Sequence, residues 1–312
     1  MKLSFVIPCY RSSNTIGFVV DEIKEKMKSM SISDYEIVLV NDCSPDNTFE
    51  VIRQICAENP NVIGIDHTKN FGQHAALMAG FHYVSGDIVI CLDDDGQTPA
   101  NEVDRLLSKL DEGYDVVYAK YDKKKHSAFR NMGTIFNKKL TEVMLEKPKE
   151  LHITSYFVMR RFIMDEIIRY KNAYPYVIGL ILRATKNICN VTVTHRDRIE
   201  GKSGYSFRKL ISLWVNGFTA FSVIPLRMAT FSGAVFAFAG FVFAIYTVIN
   251  KLINPEVPMG WSSTFSALLV IGGLLLLVLG MIGEYVGRIY ISLNSSPQYV
   301  IRSVVNYTEE KK

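Results

Sequence analysis

Residues 87–97 read DIVICLDDDGQ, in which the apolar run 88–92 leads directly into three consecutive aspartates and a glycine. A short continuous run of β-branched and apolar residues is typical of a strand buried on both faces. Alternation along an extended chain places Asp93 and Asp95 on one side and Asp94 on the other. We therefore predict a buried strand that ends in a working pair of carboxylates, with Asp94 as a spacer that faces solvent.

Similar β-branched runs recur on either side of this strand, and helix-like segments separate them. The runs lie at 3–7, 36–40, 62–65 and 116–118, and the helix-like segments at 15–30, 48–58, 73–84 and 100–110. Strands that alternate with helices at this spacing predict an α/β fold with a mostly parallel sheet covered on both faces. Ligands bind at the carboxyl ends of such strands. Here those ends carry residues 8–10, 41–44, 66–67 and 93–95.

The acidic cluster favours a divalent metal. Adjacent carboxylates repel one another unless a cation neutralises them. Hard oxygen ligands suit Mg²⁺ or Mn²⁺, with substrate phosphates and water completing the coordination. A solvated acidic turn is the alternative interpretation. An EF-hand loop is excluded because Gly96 stands at position four rather than six.

Several known motifs are absent from the sequence, and each absence argues against a class of protein. No G-x-G-x-x-G follows the first run, and no P-loop motif occurs, which argues against dinucleotide and P-loop enzymes. The five cysteines are scattered without a C-x-x-C pair, which argues against a zinc site and fits a reducing compartment. The net charge of +4 is mild, and we expect no nucleic-acid partner.

The last third of the chain contains two long apolar stretches. Residues 228–250 and 261–283 carry no charged side chain, and each exceeds the roughly 20 residues that cross a bilayer core. They predict two transmembrane helices within 228–288, and a buried soluble hairpin is the alternative. Basic residues precede the first stretch and follow the second, whereas the connection holds a single lysine. The positive-inside rule then predicts a multi-pass protein of the inner membrane with its catalytic part in the cytoplasm.

These features predict four parts in the chain. A cytoplasmic catalytic domain spans 1–205, and an amphipathic juxtamembrane helix spans 206–227, where Arg208 and Lys209 precede a run of apolar residues. The two transmembrane helices follow in 228–288, and a cytoplasmic tail occupies 289–312. Residues 128–145 form a second amphipathic segment that either packs on the domain or lies at the membrane surface.

The order of four motifs resembles the family 2, GT-A fold glycosyltransferases. They are SFVIPCY at 4–10, VNDCSPDNT at 40–48, NFG at 70–72 and DDDGQTP at 93–99. Each motif is only moderately specific, but their order is characteristic. The resemblance implies a Rossmann-like catalytic domain of GT-A type.

Three later motifs resemble one branch of that family, the polyprenyl-phosphate glycosyltransferases such as bactoprenol glucosyltransferases and dolichol-phosphate mannose synthases. They are RDRIEGKSGYS at 196–206, FSVIPLR at 221–227 and GEYVGR at 283–288. The resemblance thus covers nearly the whole chain. One departure concerns the Gly-Asp-Phe segment of many relatives, because the matching stretch Ile153–Met159 has no carboxylate.

The resemblance also implies site residues. Pro8, Tyr10 and Asp42 would line the nucleoside pocket, which usually holds uridine and which Asp93 also borders. Asp93 and Asp95 would form the D-x-D pair, with Asp95 and Gln97 nearest the metal. The basic residues that would meet donor or acceptor phosphates are Arg130, Arg196, Arg198 and Lys202.

The reaction implied by this resemblance is transfer of a sugar from a nucleotide sugar, expected to be a UDP-hexose, to a polyprenyl phosphate, expected to be undecaprenyl phosphate. It would be inverting, dependent on Mg²⁺ or Mn²⁺, and located at the cytoplasmic membrane face, where it would supply lipid-linked sugar for cell-envelope glycans. Resembling proteins also make a homotetramer an expectation.

Three alternatives stay open at this point. A haloacid dehalogenase phosphatase also carries D-x-D-G, although that motif normally opens the chain. A membrane-anchored scaffold could bind nucleotide sugar without turnover. A family 2 transferase could use a saccharide acceptor, although the chain has only two apolar stretches and no Q-x-x-R-W segment.

Overall fold

The computed structural model describes residues 1–121, 150–194, 260–293 and 297–307, with Pro148, Arg196 and scattered positions in 231–253. The chain divides into two compact units, Met1–Ile211 with Ser295–Lys312, and Ser212–Asn294. Arg130, Arg198, Lys202 and the predicted amphipathic segments 128–145 and 206–227 lie outside the described residues.

Strands and helices alternate in the first unit, as the sequence predicts. The strands are β1 Leu3–Cys9, β2 Tyr35–Asn41, β3 Val62–His67, β4 Ile88–Cys91, β5 Val116–Tyr121, β6 Phe157–Arg160, β7 Ile188–Val193 and β8 Ile301–Val305. The helices are α1 Ile16–Ser29, α2 Thr48–Glu58, α3 Gln73–Phe81, α4 Val103–Asp111 after a 3₁₀ turn at Ala100–Glu102, α5 Arg161–Ile167 and α6 Val177–Ala184. All the strands and helices predicted before residue 122 are present, with ends that differ by a few residues.

The strands form one mixed sheet in the order β7-β5-β6-β4-β1-β2-β3-β8. β1 pairs in parallel with β2 and β4, β2 with β3, and β5 with β7. β6 runs antiparallel between β4 and β5, and β8 runs antiparallel to β3. The prediction of a mostly parallel sheet missed these two strands because both are short and neither is followed by a helical crossover to a parallel neighbour.

Helix α3 packs closely on the sheet. Its residues Ala75–Phe81 are all buried, and the helix packs on β1 and β2. A Cβ atom on Gly80 would lie 2.5 Å from Val6 Cγ1 and 3.3 Å from Val40 Cγ2. Only glycine permits this approach without displacement of a core valine. The close packing fixes the position of Gln73, the first residue of the helix.

The C-terminal segment differs from the predicted tail over 289–312. Residues 289–293 continue a helix, and 301–305 form β8 at the edge of the sheet. In the antiparallel register, Ile65 opposes Val304 and Asp66 opposes Ser303. Main-chain hydrogen bonds and the half-buried side chains of this strand attach it to β3. The first compact unit therefore includes the first strand, β1, and the last described strand, β8.

The second unit contains helix α7, Trp261–Leu293, of 33 residues. It begins where the second apolar stretch begins and continues past Gly283, the predicted end of that stretch. Taken over the residues that the structure describes, no helix meets the combined length and apolarity required of a membrane span. The first predicted span, 228–250, is described only at scattered positions.

A buried carboxylate ties together the amino ends of β1, β2 and β4. Glu36 is 5% exposed. It accepts hydrogen bonds from Ser4 Oγ at 2.7 Å, Ser85 Oγ at 2.8 Å and Ser85 N, and it pairs with Lys2 Nζ at 2.9 Å. Burial acts to raise the pKa of Glu36, but these hydrogen bonds outweigh it and lower the pKa below the ordinary value of 4.5. The ionised carboxylate therefore stabilises the fold.

We expect Glu36→Gln to reduce the free energy of unfolding by about 2 kcal/mol at pH 7, because the amide cannot replace a charge-assisted acceptor. A lowered pKa makes this stabilisation present above pH 4.5 and lost as the pH falls through the folded-state pKa. Thermal unfolding of both proteins in detergent from pH 3.5 to 7 measures the difference. A Tm gap that stays constant across this range would contradict the assignment.

Candidate active site

The carboxyl ends of β1 to β4 bring the predicted polar residues to one edge of the sheet. The parallel registers pair Cys9 with Asn41 and Asn41 with Asp66, so the segments that follow these strands are neighbours. Tyr10, Asp42 and the 93–95 cluster emerge at this edge. The structure thus brings together the nucleoside-side and metal-side residues predicted from the sequence.

Two side chains hold the carboxylate of Asp93. Gln73 Nε2 donates to Asp93 Oδ1 at 3.0 Å, and Ser155 Oγ donates to Asp93 Oδ2. Gln73 begins α3, and Ser155 precedes β6, so both donors come from elements fixed by the sheet. Asp93 is therefore held in a single orientation at the strand end.

Asp94 is not a solvent-facing spacer, and that expectation was wrong. Its Oδ2 accepts a hydrogen bond from Tyr10 N at 2.8 Å, and its carbonyl oxygen accepts one from Thr15 Oγ1 at 2.6 Å. The chain turns sharply after β4, which directs Asp94 towards the loop after β1 rather than outwards. Asp94 therefore joins β4 to the start of α1.

The surroundings of Asp94 disfavour the ionised form of its carboxyl group. Burial, together with the charges of Asp93 and Asp95, raises the pKa of Asp94 to about 6, although the hydrogen bond from Tyr10 N opposes the shift. A bound cation would offset this repulsion and favour the ionised forms. The cluster therefore has the electrostatics expected of a cation-binding site.

Asp95 and Gln97 form a tight turn around Gly96. Asp95 Oδ1 accepts from Gln97 N at 3.0 Å, and Gly96 has a φ of 73°, in the left-handed region that favours glycine. Gln97 Nε2 donates to the carbonyl oxygen of Arg196 at 3.3 Å. The turn thus places the segment containing Arg196 beside the acidic cluster.

Arg196 lies beside the site, but its guanidinium has protein partners. It pairs with Glu22 Oε1 at 2.7 Å and donates to Asn101 Oδ1 at 2.8 Å. The ion pair is partly exposed, and such pairs contribute only about 0–1 kcal/mol. However, the Glu22 side chain is only 10% exposed, so Arg196 would have to leave a largely buried partner in order to make the predicted phosphate contact.

On the side of the site predicted to hold the nucleoside, Asp42 organises a loop. Its side chain is 4% exposed. Oδ1 accepts from Phe71 N at 2.8 Å and lies 3.0 Å from His67 Nδ1, and Oδ2 accepts from Gly72 N at 2.7 Å. An ionised carboxylate accepts about four hydrogen bonds, so most of its capacity is used by the protein. Asp42 therefore orders the loop at Phe71 and Gly72.

Tyr10 and Pro8 complete this side. The Tyr10 side chain is 44% exposed, and the Arg11 guanidinium lies 5.5 Å from its ring centroid. Pro8 is partly buried in β1 opposite Val40. The exposed aromatic face of Tyr10 can stack on a nucleobase.

Sequence reasoning missed Gln73, Ser155 and His67. Gln73 directly follows the NFG motif, so its position next to a recognised loop was a usable signal. Ser155 lies in the stretch where many relatives carry an aspartate, and no motif in the sequence marks its hydroxyl as functional. His67 was noted only as a polar strand end, since its contact with Asp42 depends on the sheet register.

The oxygen donors present suit a metal that is completed by substrate. Within the described residues, no group of three or more His, Cys, Asp or Glu side chains is placed to hold a metal. Mg²⁺ commonly takes one or two carboxylates together with substrate phosphates and waters. Asp93 and Asp95, with the Gln97 amide beside them, match that donor set.

Comparison with known families decides the class of enzyme. The family model described as glycosyl transferase family 2 matches residues 4–168. The chain belongs to glycosyl transferase family 2. A second model, described as the GtrB C-terminal hairpin, matches residues 224–289. Family 2 membership makes the chain a glycosyltransferase, which excludes the phosphatase alternative, and its second unit is a hairpin domain.

Relatives of similar length align over nearly the whole chain. An undecaprenyl-phosphate 4-deoxy-4-formamido-L-arabinose transferase of Proteus mirabilis is 32% identical over 100% of this chain and 96% of its own. The same-named protein of Yersinia enterocolitica is 33% identical over 97% and 94%. An uncharacterized glycosyltransferase, YkcC, of Bacillus subtilis is 31% identical over 97% and 94%.

Solved structures support a GT-A-like fold. Glucosyl-3-phosphoglycerate synthase from Mycobacterium tuberculosis, in complex with Mn²⁺ and UDP-glucose, matches with a TM-score of 0.51 and 20% identity. The match covers 69% of this chain and 78% of that one. At this identity the likeness establishes the fold alone.

We expect Ser155→Ala to lower kcat/KM for sugar transfer by about tenfold or more, as losses of residues that orient a ligand commonly do. Asp93 would keep the Gln73 contact but lose the hydroxyl that fixes its second oxygen. Ser155→Thr retains a hydroxyl and should keep most activity. Equal losses in both variants would show that the hydroxyl is not the cause.

Proposed function

We propose that this family 2 glycosyltransferase transfers a sugar from a UDP-sugar to undecaprenyl phosphate at the cytoplasmic face of the inner membrane. The observation that carries the proposal is the match of the whole chain, hairpin included, to relatives named as undecaprenyl-phosphate sugar transferases. The acidic site at the sheet edge supplies the donor half of the reaction, and the hairpin supplies access to a lipid acceptor.

The residues of the site suit the transfer of a sugar to a phosphate acceptor. A phosphate acceptor is already an anion at pH 7 and can attack the anomeric carbon without a strong general base. The lack of a carboxylate in Ile153–Met159 is therefore compatible with catalysis. The residues would then contribute mainly positioning and neutralisation of charge. Direct displacement would invert the anomeric centre.

The donor would lie across the edge formed by β1, β2 and β4. Tyr10 would stack on the base, and the wall shaped by Asp42, including Pro8, would enclose the nucleoside. Asp93 and Asp95 would hold Mg²⁺ or Mn²⁺ with Gln97 beside it, and that metal would act as a Lewis acid on the leaving diphosphate. Arg196, with Arg130, Arg198 and Lys202, would contact donor or acceptor phosphates.

The apolar stretches 228–250 and 261–283 would anchor the enzyme in the bilayer. Each is long enough in sequence to cross it, and α7 covers the second. The distribution of basic residues favours a cytoplasmic catalytic unit and C-terminus. A homotetramer in detergent is a further part of the proposal that light scattering of the purified protein can measure.

The decisive test is a donor panel with the full-length protein in detergent. Undecaprenyl phosphate and Mn²⁺ or Mg²⁺ are incubated with UDP-glucose, UDP-galactose, UDP-N-acetylglucosamine or UDP-4-deoxy-4-formamido-L-arabinose, and the glycolipid is detected by mass. The last donor is included because the relatives are named for transfer of that sugar. Donor binding without product would favour the scaffold, and product only with oligosaccharide would favour a saccharide acceptor.

Removal of metal should abolish this turnover. We expect EDTA to lower the rate about 100-fold or more, since the leaving diphosphate would lose its counter-charge. Excess Mn²⁺ or Mg²⁺ over the chelator should restore it. Undiminished transfer in EDTA would refute metal dependence.

A further inference from the structure

The segment that follows α7 contacts the donor side of the site through an aromatic ring, in addition to hydrogen bonds that Val300 and Arg302 make with Thr68. The half-buried Tyr299 ring stacks on His67, with centroids 5.6 Å apart and planes inclined by 8°. The Tyr299 hydroxyl lies 3.0 Å from His82 Nδ1. His67 is fully buried at the end of β3. A residue from the last part of the chain thus forms one wall of the space that holds His67.

His67 in turn contacts Asp42. The two are separated by 3.0 Å between His67 Nδ1 and Asp42 Oδ1. An ionised carboxylate can only accept, so Nδ1 carries the hydrogen and donates it. The edge contact with Phe71, at 5.5 Å between centroids and 85° between planes, encloses the imidazole on another side. Tyr299 and Phe71 together therefore fix the ring plane that this hydrogen bond requires.

Asp42 also fixes the conformation of the loop before α3. It accepts from the main-chain N–H groups of Phe71 and Gly72 at 2.8 and 2.7 Å. The next residue, Gln73, donates to Asp93 at 3.0 Å. A continuous series of contacts therefore joins Tyr299, through His67 and Asp42, to the carboxylate of the D-x-D pair.

We propose that Tyr299 is a positioning residue for the nucleotide-sugar donor, acting through His67 and Asp42 on the 71–73 loop. This inference rests on the proposed donor site. Without the ring of Tyr299, the imidazole gains freedom to rotate away from Asp42. The carboxylate then holds the two loop N–H groups less firmly, and the donor meets a less ordered pocket.

Other contacts keep the C-terminal segment attached when Tyr299 is changed. Arg302 Nη1 pairs with Asp66 Oδ2 at 3.0 Å. Gln298 Nε2 donates to the carbonyl oxygens of Tyr170 and Asn172, and Asn306 Nδ2 donates to those of Asn59 and Val62. Substitution of Tyr299 therefore removes the ring contact while β8 stays paired with β3. Asn306→Ala is the matched control, since it weakens attachment of the same segment without touching His67.

The test compares Tyr299→Ala, Tyr299→Phe and Asn306→Ala in the full-length protein. Hydrogen–deuterium exchange of peptides covering residues 68–74 reports the order of the loop without any ligand. Calorimetry with UDP and Mn²⁺ reports donor binding, and the transfer assay gives KM and kcat separately. We expect Tyr299→Ala to accelerate loop exchange and to raise the UDP Kd about fivefold, with kcat changed less. Tyr299→Phe, which keeps the ring, should restore both.

Several outcomes would overturn the inference. Unchanged exchange of residues 68–74 in Tyr299→Ala would overturn it, and this result does not depend on which ligand the enzyme binds. Equal effects of Tyr299→Ala and Asn306→Ala would assign the change to loss of the strand rather than to the ring. Failure of the wild-type protein to bind UDP would instead refute the proposed donor site, and loop exchange would still decide whether Tyr299 orders the loop.

Discussion

Asp95→Asn should reduce sugar transfer on the order of 1,000-fold while the protein stays folded. The amide retains the size of the side chain and an oxygen that can still accept from Gln97 N, so the turn around Gly96 survives. It lacks the negative charge through which Asp95 would bind the divalent cation of the proposed site. The initial rate of glycolipid formation at saturating Mn²⁺ measures the effect.

Asp111→Asn is the control for this substitution. Asp111 is an exposed aspartate at the end of α4, so the change removes the same charge away from the site. It should leave the rate within about twofold, because surface substitutions of this kind have small effects. Transfer by Asp95→Asn close to the wild-type rate would refute the metal-site assignment. Circular dichroism of both variants checks that each is folded.

Asp42→Asn should weaken donor binding about tenfold or more and reduce the free energy of unfolding by about 3 kcal/mol. An amide presents one oxygen and one NH₂ group. The two carboxylate oxygens of Asp42 face the N–H groups of Phe71 and Gly72, so either orientation of asparagine sets a donor against a donor. His67 can change tautomer to adapt, but a main-chain N–H cannot. The conflict therefore remains in every arrangement.

Calorimetry with UDP and thermal unfolding separate the two effects of Asp42→Asn. Glu36→Gln provides the matched control, since it also neutralises a buried carboxylate, at the amino ends of the strands rather than at the donor edge. It should lower the Tm without changing the Kd for UDP. If both variants weakened UDP binding equally, the loss would reflect general destabilisation and not the loop.

Sequence reasoning located the fold because the apolar runs of β1 to β4 are continuous and because α1, α2 and α4 each bury one face, whereas α3 is apolar on all sides. It also located the site edge, since Asp42 and the acidic cluster directly follow predicted strands. It failed for β6, β7 and β8, whose places in the sheet depend on pairing with β4, β5 and β3. Short strands carry little local signal, and their place is decided by tertiary contacts.

The individual contacts of the site could not be predicted from the sequence, for a related reason. Alternation along a strand assigned Asp94 to solvent, but the strand ends at Cys91 and the pattern no longer applies beyond it. Ser155 meets Asp93 across 62 positions of sequence, and Tyr299 meets His67 across a longer interval. Such contacts follow from sheet order, which no local pattern encodes.

The position of β8 bears on how the polypeptide is made. A ribosome must finish the hairpin segment before the strand that covers β3 emerges, so the sheet is completed last. Until then β3 presents unpaired N–H and C=O groups, the kind of edge on which chains associate. A chain truncated at residue 211 to remove the hairpin would keep that edge permanently open and would also lose Tyr299 and Arg302. Fusion of residues 295–312 to such a truncated chain through a flexible linker would be the rational route to a soluble catalytic unit.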